Sequence, residues 1–211
     1  MKQLLYLVLF IPFISLAQRD LLDEGNKFLN QNKNKEAENV FKEALKSEKN
    51  NVIYRNQLAL ALINQGEYRK AEKQLEKVLF ENPKNVAALW YSGINNFQNL
   101  KNFRKAIEYF ERAFPLISET SPQFFAVNFY IGKSYRNLLY SQGISYEETS
   151  RMLETAKEYV KLQPDASDTE QWVSFIKYVE ENRMPPNVKN WTIATKQNVD
   201  ELIKKELEKS R

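Results

Sequence analysis

Gln65-Gly66-Glu67-Tyr68-Arg69-Lys70-Ala71 is the stretch on which the fold prediction depends. Leu75, Val78 and Pro83 follow Ala71 at spacings that suit one face of a helix and its end. The same small–bulky–small pattern recurs on both sides, as Ala37-Phe41-Ala44 and Ala106-Phe110-Ala113. The first alanines are 34 and 35 residues apart, and an extra residue near Val86 accounts for the difference. Such a period predicts tandem copies of one supersecondary unit.

These residues resemble the tetratricopeptide repeat family, in which a Gly-x-Tyr turn joins two helices and Ala, an aromatic residue and Ala follow on the second. The resemblance implies an all-α fold, a right-handed superhelical solenoid of helix hairpins with a C-terminal capping helix and a tail helix. Each hairpin alone leaves an apolar face exposed, and stacking of neighbours covers it. The predicted repeats are residues 18–51, 52–85, 87–120 and 121–164, followed by the capping helix 167–184 and an amphipathic helix within 187–211.

Small residues on the first helices predict close packing within each hairpin; they are Gly25, Ala59 and Gly132. In the fourth repeat two alignments of the second helix remain open: Thr149, Leu153 and Ala156, or Met152, Ala156 and Tyr159. Ser121-Pro122 predicts one helix start. The pairs Ser145 with Glu148 and Ser167 with Glu170 predict capping boxes.

Residues 1–17 have the layout of a secretory signal peptide. Lys2 supplies the positive charge, Leu4 to Phe13 is largely apolar, and Ser15-Leu16-Ala17 precedes a cleavage point before Gln18. The apolar stretch is shorter than the roughly 20 residues of a spanning helix, so cleavage is favoured over a retained anchor. We therefore expect an exported bacterial protein, located in the periplasm, secreted or associated with the outer membrane.

The composition argues against several classes of function. The chain has no His and no Cys, so the commonest general base, the commonest metal ligand and thiol nucleophiles are absent. Its five glycines are assigned to helix packing and turns, which leaves none for a phosphate-binding loop. A net charge of +4 gives no basic face for nucleic acid. We expect no cofactor, no metal and no small-molecule substrate.

Carboxylates are abundant, and an unrecognised carboxylate-based enzyme is the least favoured alternative. The pairs Glu38–Lys42, Glu108–Arg112 and Glu201–Lys205 have the i,i+4 order that stabilises exposed helix faces. The sequence therefore predicts solvated surface charges at these positions and no catalytic site.

The resemblance places a protein-binding groove on the concave face, lined by set positions of the first helices. The residues at those positions that we selected as the candidate site are Asn26, Asn30, Asn56, Leu60, Asn64, Tyr91, Asn95, Asn99, Phe129, Lys133, Arg136 and Asn137.

One position of this groove is Asn in all four repeats, namely Asn30, Asn64, Asn99 and Asn137. A row of amides offers donors and acceptors to the backbone of an extended peptide. The alternative is that these residues cap helix C-termini, where Asn is also favoured. Tyr91 and Phe129 would add apolar anchorage, and Lys133 and Arg136 would favour an acidic ligand.

The leading hypothesis is a non-catalytic adaptor of the cell envelope that binds a protein or peptide segment in the groove. The alternative is an obligate structural subunit of an envelope or outer-membrane complex, with the solenoid edge or the tail helix as its interface.

Overall fold

The computed structural model describes residues 14–196 and 198–209, and the chain divides into two compact units between Val78 and Leu79. The helices of unit 1 are α1 (Ile14–Asn30), α2 (Asn34–Ser47), α3 (Val52–Asn64) and most of α4 (Tyr68–Glu81). Those of unit 2 are α5 (Val86–Ile94), α6 (Phe103–Ala113), α7 (Pro122–Ser141), α8 (Tyr146–Leu162), α9 (Thr169–Asn182) and α10 (Val199–Lys209).

The all-α prediction is confirmed for the described residues. In unit 1, α1 packs on α2 and α2 on α3; in unit 2, consecutive helices from α5 to α9 pack in chain order. The small–bulky–small residues of the second helices form the core, and Ala37, Phe41, Ala106 and Phe110 are completely buried. The predicted leader lies outside the described residues up to position 13. No described helix combines the length and apolar character needed to cross a bilayer.

Small residues on the first helices lie opposite large ones on the second. A Cβ atom added to Gly93 would stand 2.6 Å from the Phe110 ring, and Gly25 has the same relationship to Phe41. The fourth repeat reverses the pattern, because Gly132 faces Thr155 and the backbone of Ala156. Ala156 thus takes the place of the phenylalanines, which selects the alignment Met152, Ala156 and Tyr159.

Each hairpin turn contains a residue in the left-handed conformation: Asn32, Gly66, Lys101 and Gly143, with φ of 58°, 78°, 54° and 82°. At the turn of the second repeat, Glu67 N–H donates to Leu62 O at 2.8 Å and Gly66 N–H donates to Ile63 O at 3.0 Å. This is the pairing of a Schellman motif, which satisfies carbonyls at a helix C-terminus.

The extra residue of the third repeat does not lie near Val86, as the spacing suggested. The N-cap residues Asn51 and Asn85 are 34 positions apart, and each accepts backbone N–H bonds at the start of its helix. The insertion instead forms a π-helical turn, Asn95–Asn99, where Leu100 N–H donates to Asn95 O at 3.0 Å. A π turn is the usual way for a helix to absorb one residue.

Of the two predicted capping boxes, one is confirmed and the other is wrong. Ser145 and Glu148 form the capping box, with both reciprocal bonds present. The box at Ser167 is wrong: α9 begins at Thr169, and its N-cap is Asp168. The Asp168 carboxylate instead accepts from the Tyr159 hydroxyl at 2.8 Å, because the packing of α9 on α8 brings them together.

Ser121 occupies the N-cap position of α7, but its hydroxyl makes no capping bond.

The charged pair in α2 is not solvated as predicted. Glu38 is 4% exposed, and its carboxylate accepts from Lys42 at 2.6 Å and from Lys35 at 2.9 Å. Burial in the hairpin therefore corrects the surface assignment, while the pairing itself is confirmed. The Glu108–Arg112 pair, at 3.5 Å, does lie on the surface of unit 2.

A segment after α9, residues 183–196 and 198, returns to the hairpin turn of the fourth repeat. We call it the strap. Ile144 and Trp191 form an antiparallel bridge with N–H···O distances of 3.0 and 2.9 Å, and Ile193 N–H donates to Leu139 O at 3.0 Å. Trp191 is 7% exposed. The strap thus docks on α7 and its turn, whereas α10 beyond it leaves two apolar side chains, Ile203 and Leu207, exposed.

Candidate functional site

An open cleft in unit 2 is the best-formed candidate for a binding site. Its volume is about 600 Å³, within the range of ligand pockets. It lies between the start of α5 and the loop that leads into α7. Its lining residues are Val86, Ala87, Trp90, Tyr91, Leu116, Ile117, Ser118, Ser121 and Gln123. We call it the α5 cleft.

The Asn85 cap positions the α5 residues of this cleft. The Asn85 side chain accepts from Ala88 N–H at 2.9 Å, which fixes where the helix begins and therefore which side chains share a face. Trp90 is held at ring–ring distances of 5.6 Å from Phe110 and 6.0 Å from Tyr130, both edge-to-face. The indole is therefore half-buried on a rigid support, with part of its surface left to line the cleft.

The α5 cleft is uncharged. None of its lining residues is acidic or basic. The hydroxyl of Tyr91 is also neutral at physiological pH, since burial raises its pKa above the already high value usual for tyrosine. The polar side-chain groups of the lining are the Trp90 indole N–H, the Tyr91 hydroxyl, Ser118, Ser121 and Gln123. An apolar side chain in an extended segment fits such a lining, since serine and glutamine can bond its backbone.

Sequence reasoning found Tyr91 but missed Trp90, Leu116 and Ile117. Trp90 fills a bulky position of the repeat pattern, which predicts packing, and the structure shows that it also lines the cleft. The 34-residue separation of Asn51 and Asn85 was the signal that could have placed α5 correctly. The connection Leu116–Ser121 carries no repeat signature, so its part in the cleft was not foreseeable.

The remaining predicted residues of the third repeat lie elsewhere. Asn95 is fully buried at the start of the π turn and does not line the cleft. Asn99 donates from its side chain to Asn95 Oδ1 at 3.2 Å. Asn95 is therefore not part of an open groove.

In unit 1 the predicted side chains are partly engaged within the chain. Asn26 accepts from Gln57 Nε2 at 2.5 Å, and Asn64 donates to Asn34 Oδ1 at 3.1 Å. Asn56 is 7% exposed and belongs to the interior. Leu60 is half-buried and Asn30 exposed.

The fourth-repeat residues lie against α9. The Phe129 ring is 4.9 Å from the Tyr159 ring and 6.1 Å from the Trp172 ring, so it belongs to an aromatic cluster beneath α9. Asn137 donates to Lys133 O of its own helix at 2.7 Å. Lys133 and Arg136 are half-buried and lie over aromatic rings.

The structure bears on only one of the two interpretations of the asparagine row. Asn64, Asn99 and Asn137 use their side-chain amides within their own units, and none of the row adopts the left-handed C-cap conformation, which falls on Asn32 and its equivalents. The capping explanation is not what the structure shows. Peptide binding by this row stays a prediction.

Neither the arrangement of the acidic side chains nor the shifted carboxylate pKa among the described residues indicates a catalytic site. Across residues 14–196 and 198–209, no group of three or more acidic side chains is arranged to hold a metal ion. The carboxylate with the most strongly shifted pKa is Glu38. Burial raises it, but hydrogen bonds from Lys42, Lys35 and Gln65 outweigh burial and lower it to about 2. Such a pKa is typical of a structural ion pair, not of a general acid.

Comparison with known proteins agrees with this description. Residues 28–91 match the family model for the tetratricopeptide repeat. A MamA crystal structure is 18% identical, with 92% of each chain covered and a TM-score of 0.64. MamA from Desulfovibrio magneticus is 20% identical, covering 92% of this chain and 96% of that one, with a TM-score of 0.64. PilF from Pseudomonas aeruginosa is 15% identical, covering 79% and 70%, with a TM-score of 0.62. No curated protein sequence matched.

The fold therefore defines an all-α protein built from helix-hairpin repeats. Residues 28–91 therefore have the sequence pattern of the tetratricopeptide repeat, and the chain shares the fold of these structural neighbours.

Proposed function

We propose that the chain is a non-catalytic scaffold of the bacterial cell envelope that binds a segment of another protein in the α5 cleft. Tetratricopeptide repeats generally mediate protein–protein contacts, and residues 1–17 have the layout of an export signal. The carrying observation is the cleft itself, with a half-buried aromatic pair at an uncharged, open surface. Aromatic side chains in such settings are typical anchors of protein interfaces.

The proposal is tested by site-specific photo-crosslinking in cells that naturally express the protein. Benzoylphenylalanine replaces Tyr91 in one variant and Phe80 in a control, because Phe80 is 87% exposed and lies outside the cleft lining. We expect one discrete protein adduct from position 91, in the envelope fraction, that is lost when Trp90 is changed to Ala. No adduct at position 91, or the same adducts at both positions, would contradict the proposal.

A second candidate, an obligate subunit of an envelope complex, is favoured by α10. Ile203 and Leu207 are 55% and 60% exposed one turn apart, and the strap holds the start of this helix. Asn198 donates to Tyr140 O at 2.6 Å and accepts from Thr195 N–H at 2.6 Å. If α10 is the interface, Ile203→Ser with Leu207→Ser removes the chain from its complex while the Tyr91 adduct is unaffected.

A further inference from the structure

The side chains of the α5 cleft offer hydrogen-bond donors that nothing within the chain uses. The Trp90 indole N–H, the Tyr91 hydroxyl and the Gln123 amide make no hydrogen bond to any other residue that the structure describes. The indole can only donate, and no lining side chain is a carboxylate that can only accept. The hydroxyl of Ser118 is already bonded to that of Thr120 at 2.9 Å. A ligand that presents carbonyl oxygens therefore suits the cleft better than one that presents N–H groups.

The apolar part of the lining is an open surface. Val86 and Leu116 are 38% and 37% exposed, and Trp90 and Tyr91 are half-buried. The Trp90 ring is held edge-to-face by two other rings of unit 2, so it is not free to close around a ligand side chain. A long flexible side chain gains most from complete burial, whereas a compact ring gains from packing one side on such a surface.

An uncharged cleft with few polar groups favours a ligand segment that is ordered before it binds. Each residue that becomes fixed on binding loses conformational entropy, and the cleft has no ion pair to offset that loss. The polyproline II helix is already ordered, has no internal hydrogen bonds and leaves its carbonyl groups open to donors. Its prolines have no N–H group, so they bring no donor that needs an acceptor in the cleft.

We propose that the partner segment in the α5 cleft is uncharged and rich in proline, and that it binds as a polyproline II helix. Its pyrrolidine rings pack on Trp90 and Tyr91, and its carbonyl oxygens accept from the Trp90 indole, the Tyr91 hydroxyl and the Gln123 amide. Aromatic-lined grooves on other folds recognise proline-rich segments by the same chemistry. This inference rests on the proposed function and adds the chemical class of the partner.

The test follows the indole N–H signals of the isotope-labelled full chain by proton–nitrogen NMR. The chain has three tryptophans, and changing each one to phenylalanine assigns its signal. The probe is a nine-residue peptide that repeats proline-proline-alanine and has blocked ends. We expect the Trp90 signal to move downfield and to saturate, because its N–H gains an acceptor. The Trp172 and Trp191 signals should stay in place, because Trp172 donates to Asp168 at 3.2 Å and Trp191 is buried outside the cleft.

Substitutions that remove single donors measure the hydrogen bonds. Trp90→Phe keeps an aromatic ring without the N–H group, and Tyr91→Phe removes only the hydroxyl. Each change should weaken peptide binding about three- to tenfold in fluorescence polarisation, the usual effect of one neutral hydrogen bond. The matched control is Tyr178→Phe, which removes the hydroxyl of a 46% exposed tyrosine on α9, outside the cleft, and should leave the affinity unchanged.

Two analogue peptides separate recognition of proline from general apolar binding. In one, alanine replaces every proline; in the other, leucine and serine replace the two prolines of each triplet. Both should bind about tenfold more weakly than the probe, because they lack the rings and the preformed helix. Equal or tighter binding of the leucine peptide would overturn the inference. So would a Trp90 signal that does not move at millimolar probe, or equal movement of all three indole signals.

The crosslink at position 91 distinguishes failure of this inference from failure of the proposed function. Mass spectrometry of the adduct identifies the segment of the partner that lies in the cleft. A discrete adduct on a segment without proline would leave the scaffold proposal in place and overturn only the inference. Binding of the proline peptide in vitro without any adduct in cells would contradict the scaffold proposal and leave the chemistry of the cleft in place.

Discussion

The side-chain amide of Gln65, at the turn of the second repeat, donates to the Glu38 carboxylate of the first repeat at 3.0 Å. The same Gln65 nitrogen lies 3.1 Å from Asn34 O and 3.2 Å from Ala61 O. Glu38 is almost fully buried, and Lys35 and Lys42 also donate to it. A charged group thus joins two consecutive repeats inside unit 1, at the point where their turns and helices approach.

Glu38→Gln should lower the free energy of unfolding by about 1–3 kcal/mol at neutral pH, because the charge-assisted bonds are weakened and both lysines lose their partner. Chemical denaturation monitored by circular dichroism measures the change. The control is Glu43→Gln, which alters a 62% exposed pair with Lys46 and should have an effect below about 0.5 kcal/mol. Equal effects of the two changes would show that the Glu38 cluster adds no stability.

The Glu38 contribution should depend on pH in one direction. Its pKa in the folded chain is about 2, below the usual 4.5, so the unfolded chain takes up the proton first as pH falls. The contribution is complete above pH 4.5 and is lost as pH falls through 2. The stability difference between the unaltered chain and Glu38→Gln should therefore shrink across this window. A constant difference between pH 5 and pH 2 would be inconsistent with the shifted pKa.

Gly93→Ala should destabilise the third repeat, because the added methyl group overlaps the buried Phe110 ring. Overpacking of this kind costs about 1–3 kcal/mol. Adding Phe110→Leu should recover much of the loss, since the second repeat has the pair Ala59 and Leu75 in the equivalent places, both fully buried. Thermal unfolding of the single and double variants measures the coupling.

Gly132→Ala is the comparison for that pair. Its new Cβ would meet Thr155 Oγ1 at 3.3 Å and no aromatic ring, and alanine favours helix over glycine by about 1 kcal/mol. We expect little net change. A loss as large as that of Gly93→Ala would mean that the ring is not the cause.

Lys101→Gly should stabilise the chain by about 0.5–1 kcal/mol, because the lysine adopts φ of 54°, which glycine reaches without steric cost. The equivalent residue of the second repeat is Gly66, and Gly66→Ala should have the opposite sign at φ of 78°. Lys101→Ala separates backbone strain from the loss of charge, since it removes the charge but keeps the Cβ. If Lys101→Ala stabilises as much as Lys101→Gly, backbone strain is not responsible.

Trp191→Ala should detach the strap, because its indole is buried and its backbone bridges Ile144. Truncation of a buried tryptophan costs about 3–5 kcal/mol. Limited proteolysis should then cut within residues 183–198 at protease concentrations that leave the unaltered chain intact. Lys189→Ala, an exposed change in the same strap, should not increase cleavage.

The sequence predicted the features that repeat. The alanines at 37, 71 and 106 and the glycines opposite the phenylalanines follow from close packing, which imposes the same residue size at each turn of the array. The capping box of Ser145 also followed from local chemistry. These features depend on residues near in sequence or on the equivalent residues of the neighbouring repeat.

Structural features that depend on contacts outside the repeat pattern were not predicted. The sequence Asn95–Asn99 does not indicate a π turn, which accommodates the additional residue of the third repeat. Glu38 has the pattern of a surface pair, and only the approach of Gln65 makes it buried. The α5 cleft depends on a loop, and Phe129 was assigned to a groove because nothing in its own helix shows that α9 covers it.

The π turn divides the first helix of the third repeat into two functional segments. One inserted residue rotates the side chains beyond it by about 100° about the helix axis relative to a regular helix. The residues before and after the insertion therefore face different surroundings. The leading end presents Tyr91 and part of Trp90 to the α5 cleft, whereas Asn95 and Asn96, at the start of the π turn, are held in the interior. Specificity in this repeat can therefore diverge without disturbing the array that supports it.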